Sequence, residues 1–338
     1  MGGALMSTTT AVNSTAAGPR TSPTSGYMSV KVEMLRRLRI TAVDLFVQLD
    51  TKGPVMLYHR AGSSLGAQRL YAWADAGVQR LLVRTDDFQC FGTHLLESVE
   101  ALAEGEPVPH AERYAALQLA LAMEIERSAQ SIDCRPYVAL AEQVGPKLVS
   151  LVGANQVLPR DLFRLARHDF NTFTHVTNVA SYAVVLAERL GISDPDVLKE
   201  IAVGGMLHDI GKRFIPTKIL TKPARLQPDE RALVETHPAR GYEDLCRRPG
   251  LSFEQLMMVY QHHERIDGTG YPVGSCDAEI HPWAKMLAVV DVFDAITGIR
   301  PYRRSATALN ALDYIRKNAG THFDREVVEC WDAAMTKA

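Results

Sequence analysis

The second half of the chain shows helical periodicity from about Gln156 to the C-terminus, and this pattern restricts the fold more than any other feature. Apolar residues recur there at three- and four-residue spacing. A first long helix, from Asp161, is predicted to end at Gly191, because glycine commonly follows the last turn of a helix. Further helices are predicted over residues 195–209, 228–236, 238–247, 253–263, 282–298, 305–318 and 325–336. We therefore expect a mainly α protein whose C-terminal domain, residues 156–338, is all-helical.

The first half of the chain divides into three stretches with different patterns. Residues 1–28 are rich in Ser, Thr, Gly and Ala and lack the basic start and apolar centre of a signal peptide, so a disordered segment is expected. Residues 29–88 combine predicted strands at 40–50, 54–60 and 79–85 with a helix over 64–77, which predicts a small α+β domain of unknown role. Residues 89–155 predict a helical connector, with a dimerisation surface or a signal-transmitting stalk as alternatives.

Composition excludes several classes of function. The net charge of −2 gives no overall field that would attract nucleic acid or a membrane surface. No apolar run approaches the roughly 18 residues that a membrane helix needs. The five cysteines are odd in number and never spaced as Cys-x-x-Cys, which argues against a disulfide framework or a thiolate zinc site. We expect a cytoplasmic protein that contacts neither a nucleic acid polymer nor a membrane.

Histidine and aspartate residues recur within or at the ends of the predicted apolar helices. One histidine lies inside the long helix, three predicted helices end on histidine, and one aspartate lies inside the helix over 282–298. Ionised carboxylates are rarely buried unless they are paired or bind metal, and imidazole with carboxylate suits Fe, Mn, Zn or Ni. Five histidines and two aspartates exceed what one ion needs, which favours two ions and phosphoester hydrolysis. The seven residues are His175, His208, Asp209, His237, His262, His263 and Asp291.

Each of these residues also has a purely structural interpretation when it is taken alone. His175 lies in line with Asn178 and Tyr182 at helical spacing, as a hydrogen-bonded core histidine would. Asp291, three residues before Asp294 in an apolar helix, could be a hydrogen-bonding residue in helix packing. Only the order of the segments along the chain favours the metal interpretation over the structural one.

Joined in order, the segments resemble the HD-GYP family, a branch of the HD superfamily of metal-dependent phosphohydrolases. "LHDIGKRFIPTKILTKPARL" at 207–226 is similar to the HD core, and "THPARGYEDL" to the next histidine segment. "HHERIDGTGYP" at 262–272 is similar to the GYP signature, and "MLAVVDVFDAITGIRPYRR" to the aspartate helix and its basic exit. The resemblance covers about half of the chain, from about Asp161 to Val328.

The resemblance implies a cytoplasmic phosphodiesterase that hydrolyses cyclic di-GMP to linear pGpG, with onward cleavage to GMP left open. It implies that the seven residues given above are metal ligands, with Asp209 bridging two ions as a catalytic residue. Fe or Mn is expected first, with Ni or Zn as alternatives, and a third ion is not expected because Asn171 stands where some members carry a glutamate. Lys212 would face the scissile phosphate. The implied substrate-binding residues are Asp267, Gly270, Tyr271, Pro272, Arg300 and Arg303.

The chemistry of these residue types agrees with such roles. A water that bridges two cations loses its proton near neutral pH and can attack a phosphate in line. Lys212 is a compact cation suited to the developing charge on a phosphate oxygen. Arg300 and Arg303 offer forked donors to a phosphate or a guanine edge, with a solvated basic helix exit as the plain alternative. Gly270 permits unusual backbone conformations, and Pro272 stiffens the turn.

Two other functions stay open at this point. The same site could act on another cyclic dinucleotide or nucleotide, because specificity lies in the contacts around a shared chemistry. A catalytically silent module could instead bind nucleotide and signal through protein contacts. The N-terminal half could supply a homodimer contact or bind a signalling partner.

Overall fold

The computed structural model describes residues 26–35, 41–49, 53–65, 78, 80–87, 90–91, 94, 113–114, 117–118, 121, 133–153, 172–298 and 306–336. The chain separates into two compact units between Asp87 and Phe88. Most of the predicted disordered segment, residues 1–25, and most of the predicted helix over 64–77 lie outside the described residues.

The first unit contains a four-stranded antiparallel sheet with strand order β1-β4-β2-β3. Its strands are β1 Tyr27–Lys31, β2 Leu45–Val47, β3 Met56–His59 and β4 Arg80–Arg84, and the short helix α1 Val32–Leu35 follows β1. Leu45, Leu81 and Val83 are buried on this sheet. The last three strands lie within the predicted strand segments. The sequence did not predict β1, which pairs with the distant β4.

The second unit is built from helices, and the mainly α prediction is confirmed. The helices are α2 Arg135–Val152, α3 Thr172–Arg189, α4 Pro195–Leu207, α5 Thr217–Leu220, α6 Pro228–Val234, α7 His237–Leu245, α8 Phe253–Gln261, α9 Pro282–Thr297, α10 Ala308–Lys317 and α11 Arg325–Thr336. Short 3₁₀ turns cover Ile210–Phe214 and Asp277–Glu279. Within the described part of the chain, no helix combines the length and the apolar character that crossing a membrane requires.

Local capping explains where several of these helices begin and end. The side chains of Asp194, Ser252 and Thr307 each accept a backbone N–H from the first turn of the helix that follows. Pro195 occupies the first position of α4, where its missing N–H costs nothing. After α3, Gly191 adopts a φ of +92°, a left-handed conformation that favours glycine. Such signals lie in consecutive residues, so a sequence can reveal them.

Two predicted helix ends are wrong by a few residues, and both carry predicted ligands. The sequence placed His237 at the end of a helix, but α6 ends at Val234 and His237 is the first residue of α7. Pro238 accounts for this, because proline is favoured in the first turn of a helix. Likewise α4 ends at Leu207, so His208 and Asp209 lie beyond its last turn.

Helices α3, α4 and α9 form the centre of the core of this unit. Helix α3 packs against α2, α4, α9 and α11. Tyr182 of α3, Phe293 of α9 and Trp331 of α11 form a buried aromatic cluster with ring centroids 5.2–5.9 Å apart. The polar residues that this unit buries include six of the seven predicted ligands. Burying them needs a compensating interaction, because isolated charges are costly inside a protein.

The turn after α4 lies directly against the start of α7. A Cβ atom at Gly211 would lie 1.9 Å from the carbonyl oxygen of His237 and 2.7 Å from the backbone nitrogen of Gly241. Only glycine therefore allows this approach. It brings the segment that carries His208 and Asp209 next to His237.

Candidate metal centre

Five helices bring the seven predicted ligands into two groups. In each group, one potential ligand atom per residue lies within 4.8 Å of the corresponding atoms of the others. We call them the first group and the second group. The first group is His175, His208 and Asp291. The second group is Asp209, His237, His262 and His263.

Asp209 lies between the two groups. Its Oδ2 atom is 3.4 Å from Nε2 of His208 and 3.8 Å from Nε2 of His175. Its Oδ1 atom is 3.3 Å from Nε2 of His237 and 3.8 Å from Nε2 of His262. A carboxylate that presents one oxygen to each group has the geometry needed to bridge two cations.

Backbone carbonyls fix the orientation of three of the imidazole rings. The Nδ1 atoms of His208, His237 and His262 lie 2.7, 2.8 and 2.9 Å from the carbonyl oxygen three residues earlier. Since a carbonyl oxygen can only accept, each Nδ1 carries the proton. The other ring nitrogen, Nε2, therefore faces the cluster, where an imidazole can offer it to a metal.

The cluster brings several potential metal-ligand atoms close together. The Nε2 atoms of His237 and His262 are 3.2 Å apart. Nε2 of His208 and Oδ1 of Asp209 are buried, and neither finds a hydrogen-bond partner in the part of the chain that the structure describes. Buried polar atoms are normally satisfied, and divalent cations bound in the two groups would satisfy these atoms. The imidazole and carboxylate donors fit a first-row transition metal.

Protonation in this cluster suits metal binding. Burial lowers the pKa of His263 to about 3 and the pKa of His262 well below its usual range, so both rings stay neutral. Burial opposes ionisation of Asp209, but the charge of Lys212 holds its pKa well below the ordinary value. The second group therefore combines neutral rings at His262 and His263 with a charged carboxylate at Asp209, which are the forms that coordinate metals.

His175 differs from the other rings because a side chain holds it. Its Nδ1 atom lies 2.7 Å from Oδ2 of Asp294, and its Nε2 atom lies 3.0 Å from Oδ1 of Asp291. Burial opposes protonation, but the two aspartates raise the pKa of His175 to about 10. The sequence gave no role to Asp294, although its spacing of three residues from Asp291 signalled a shared helix face. Carboxylates behind metal-binding histidines orient the ring.

Lys212 lies at the edge of the cluster. Its Nζ atom forms an ion pair with Oδ2 of Asp209, and its side chain remains 30% exposed. The ammonium group is thus anchored to the bridging carboxylate and still open to solvent. An anionic group that approached Asp209 from solvent would meet this cation.

The segment after His263 folds back and places an aromatic ring against the second group. The ring of Tyr271 stacks on His263 with a centroid distance of 4.7 Å, and the N–H of Tyr271 donates to the carbonyl of His263 at 3.2 Å. The Tyr271–Pro272 peptide bond is cis. A Cβ atom at Gly270 would lie 2.4 Å from the backbone nitrogen of Arg265, so the fold-back requires glycine.

Glu264 holds this loop, and the sequence gave it no role. Its carboxylate is buried, with the residue 2% exposed. It accepts the backbone N–H groups of Val273, Gly274 and Ser275 at 2.8–3.2 Å. The acidic residue directly after the histidine pair is the sequence feature that could have indicated a role for Glu264. The contact fixes the chain just beyond Tyr271 and Pro272.

Of the other residues predicted to bind substrate, one lies in the loop outside both metal groups and two lie outside the described residues. Asp267 lies in the loop and accepts from the backbone N–H and hydroxyl of Thr269 at 3.0 and 2.6 Å, so it stabilises the loop and joins neither metal group. Arg300 and Arg303 lie outside the described residues, as does Asn171.

Comparisons with known proteins agree with this arrangement. The cyclic di-GMP phosphodiesterase PA4108 of Pseudomonas aeruginosa is 36% identical over 209 residues, which cover 62% of this chain and 49% of that protein. The 3'3'-cGAMP-specific phosphodiesterase 3 of Vibrio cholerae is 36% identical over 168 residues, which cover 49% of this chain and 35% of that protein. The chain therefore spans about half the length, or less, of these curated relatives.

A solved structure and a family model cover more of the chain. The structure of an HDG"Y"P protein from Bdellovibrio bacteriovorus matches with a TM-score of 0.67 over 90% of this chain and 98% of that chain, at 20% sequence identity, and so shares the fold. The family model described as HD domain matches residues 159–327, which is half of the chain and includes both groups of ligands. The chain therefore belongs to the HD domain family, in its HD-GYP branch.

Proposed function

We propose that the chain is a metal-dependent phosphodiesterase that hydrolyses cyclic di-GMP to linear pGpG. The observation that carries this proposal is the position of Asp209, whose two oxygens face two different groups of histidines. The similarity of the chain to a protein named as a cyclic di-GMP phosphodiesterase supports the choice of substrate.

The two groups would hold two divalent ions, with Asp209 shared between them. Ions held there would lower the pKa of water and neutralise charge on a phosphate, which are the contributions that paired metals make to phosphoester hydrolysis. Iron or manganese suits these donors best, with nickel or zinc as alternatives. Two ions are proposed rather than three because Asn171 is neutral and a weaker ligand than the glutamate of some family members.

Residues around the cluster would bind and orient the substrate. Lys212, anchored on Asp209, can donate to a phosphoryl oxygen as negative charge develops there. Tyr271 and Pro272 would form a wall beside His263 that limits water access. Arg300 and Arg303 follow α9 in sequence and are proposed as nucleotide contacts, since a guanidinium fork matches a phosphate or a guanine edge.

Another cyclic dinucleotide is the second candidate substrate. The similarity to a 3'3'-cGAMP-specific phosphodiesterase favours it, because that protein is also 36% identical to this chain, over 168 residues. A catalytically silent module is less well supported, since all seven potential ligands are present in two compact groups.

The decisive experiment is turnover by the purified chain. The protein is stripped with a chelator, reloaded anaerobically with Fe(II) or Mn(II), and incubated separately with cyclic di-GMP and 3'3'-cGAMP while chromatography follows the products. We expect cyclic di-GMP to be consumed and pGpG to accumulate before GMP. Preferred hydrolysis of 3'3'-cGAMP would select the second substrate, and tight binding of nucleotide without turnover by metal-loaded protein would select the silent module.

The number of ions is tested on the same samples. Elemental analysis after removal of loosely bound metal should give close to two ions per chain. A value close to three would contradict the assignment that rests on Asn171. Early accumulation of GMP as the dominant product would contradict the choice of pGpG.

A further inference from the structure

A chain of buried hydrogen bonds leads from His175 to two side chains that have no role in the account above. Oδ2 of Asp294 accepts from Nδ1 of His175 at 2.7 Å, and Oδ1 of Asp294 accepts from the amide of Asn178 at 3.0 Å. The amide oxygen of Asn178 then accepts from the hydroxyl of Tyr114 at 2.9 Å and from the amide of Gln118 at 2.6 Å.

Each hydrogen bond in this series pairs a donor with an acceptor, and this pairing fixes the orientation of the Asn178 amide. A carboxylate such as Asp294 can only accept, so the amide nitrogen of Asn178 must face it. The amide oxygen must then face Tyr114 and Gln118, both of which can donate. Tyr114 and Gln118 are thus the donors that hold the oxygen of Asn178 on that side.

Burial makes these hydrogen bonds hard to replace. Tyr114, Gln118, Asn178, Asp294 and His175 are all 9% exposed or less. Solvent is therefore a poor substitute for a lost partner, and an unsatisfied group in this setting is costly.

The two donors belong to a set of four buried residues with helical backbone. Tyr114, Leu117, Gln118 and Leu121 recur at spacings of three and four residues, as residues on one face of a helix do. Tyr114, Leu117 and Leu121 belong to the same hydrophobic core as α3 and α9. Gln118 is the amide in an otherwise apolar stripe, and its bond to Asn178 compensates for its burial.

We propose that Tyr114 and Gln118 are positioning residues for the ion held by the first group, and that they act through Asn178 and Asp294. They hold Asp294 in the orientation that turns Nε2 of His175 towards the other ligands. The inference rests on the proposed metal function. It predicts an effect on one ion only, because His237 and His262 of the second group are held by backbone carbonyls of their own turns.

The test compares Tyr114→Phe, Gln118→Met and the double variant with a matched control. Both substitutions remove a donor and keep nearly the same volume. The control is Tyr182→Phe, because Tyr182 is fully buried in the same core and its hydroxyl has no hydrogen-bond partner among the residues that the structure describes. Isothermal titration of the chelator-stripped full chain with Mn(II) gives the number of sites and the Kd of each, and thermal unfolding of the metal-free proteins is recorded in parallel.

We expect the double variant to raise the Kd of one Mn(II) site by about tenfold or more and to leave the other site unchanged. Each single variant should give a smaller change at the same site, and Tyr182→Phe should match the unmodified chain. Unchanged affinities in the double variant would overturn the inference. So would equal weakening of both sites together with a lower unfolding temperature, which would indicate a structural role alone. Failure of the unmodified chain to bind Mn(II) would instead refute the proposed metal function itself, before any variant is compared.

Discussion

At the scale of single residues, the orientation of the imidazole rings defines the candidate centre. His208, His237 and His262 each hydrogen-bond a backbone carbonyl through Nδ1 and turn Nε2 towards the cluster. The histidine and aspartate ligands could be predicted from the sequence because they recur in an ordered series of motifs. Asn178 could not, since its partners Tyr114 and Gln118 lie 64 and 60 residues away and only tertiary packing joins them.

Replacing the bridging carboxylate should abolish activity. In Asp209→Ala, both groups lose the oxygen that faces them, so we expect hydrolysis to fall below detection and the bound metal to fall by at least one ion per chain. Turnover assays and elemental analysis check this. Asp313→Ala, an exposed aspartate on α10, is the control and should behave like the unmodified chain. Normal metal content and activity in Asp209→Ala would contradict the assignment.

Glu264 should matter for the loop and not for the metal. In the native protein, both oxygens of Glu264 accept backbone N–H groups of the loop. In Glu264→Gln, the amide NH₂ would replace one of these oxygens and leave the N–H groups that face it without an acceptor. We expect the free energy of unfolding to fall by about 1–3 kcal/mol, as for other buried donors left unsatisfied. We also expect a higher KM with unchanged metal content. Urea unfolding and steady-state kinetics test this, and loss of metal would show that Glu264 has a different role.

At the scale of elements, the short turn after α4 controls how the ligands meet. The limits of α8, α9 and α11 could be predicted within two residues, because capping and periodicity are local signals. The strand β1 could not, because its only strand partner, among the described strands, is the distant β4. The close approach of Gly211 to α7 also depends on tertiary structure, although a glycine after His208 and Asp209 is visible in the sequence.

Adding one methyl group at Gly211 should separate the two groups of ligands. The new Cβ atom would lie 1.9 Å from a backbone oxygen, which cannot move without shifting α7. We expect Gly211→Ala to lower the free energy of unfolding by about 3 kcal/mol or more, the upper range for overpacking, and to lose bound metal. Urea unfolding and elemental analysis measure both effects.

Gly145→Ala is the matched comparison for that variant. Gly145 lies inside α2, and its added Cβ atom would meet a side-chain methyl of Val203 at 2.8 Å. Relief of that contact by a small side-chain movement and the better helix propensity of alanine should keep the change within about 1 kcal/mol. Equal effects of the two substitutions would show that the backbone contact at Gly211 is not decisive.

At the scale of the whole molecule, buried histidines should give the metal-free protein a bell-shaped dependence of stability on pH. Burial lowers the pKa of His263 to about 3 and of His322 to about 4, and it lowers that of His262 strongly. The unfolded chain binds these protons near pH 6.5, so stability falls as the pH drops below about 6.5. His175 acts in the opposite sense. Its raised pKa of about 10 stabilises the fold fully below about pH 6.5, and this contribution is lost as the pH rises towards 10.

Urea unfolding in the presence of a chelator, from pH 4.5 to 9.5, measures this profile. In His322→Gln, the slope of the unfolding free energy against pH on the acid side should fall by the equivalent of less than one proton. The alkaline side should not change, because His322 lies outside both metal groups. A profile with no acid limb would show that these histidines are protonated in the folded protein.

The ligands lie on helices or directly after them, spread over much of the second unit from His175 on α3 to Asp291 on α9. Any opening that separates these helices must first release an ion bound between them. Binding to the folded state alone would add about 2.7 kcal/mol of stability for a site at a hundredfold excess of free metal over Kd. Proteases cut a chain mainly in its opened states. The supply of metal in the cell would therefore set how long each copy of the protein survives, as well as whether it is active.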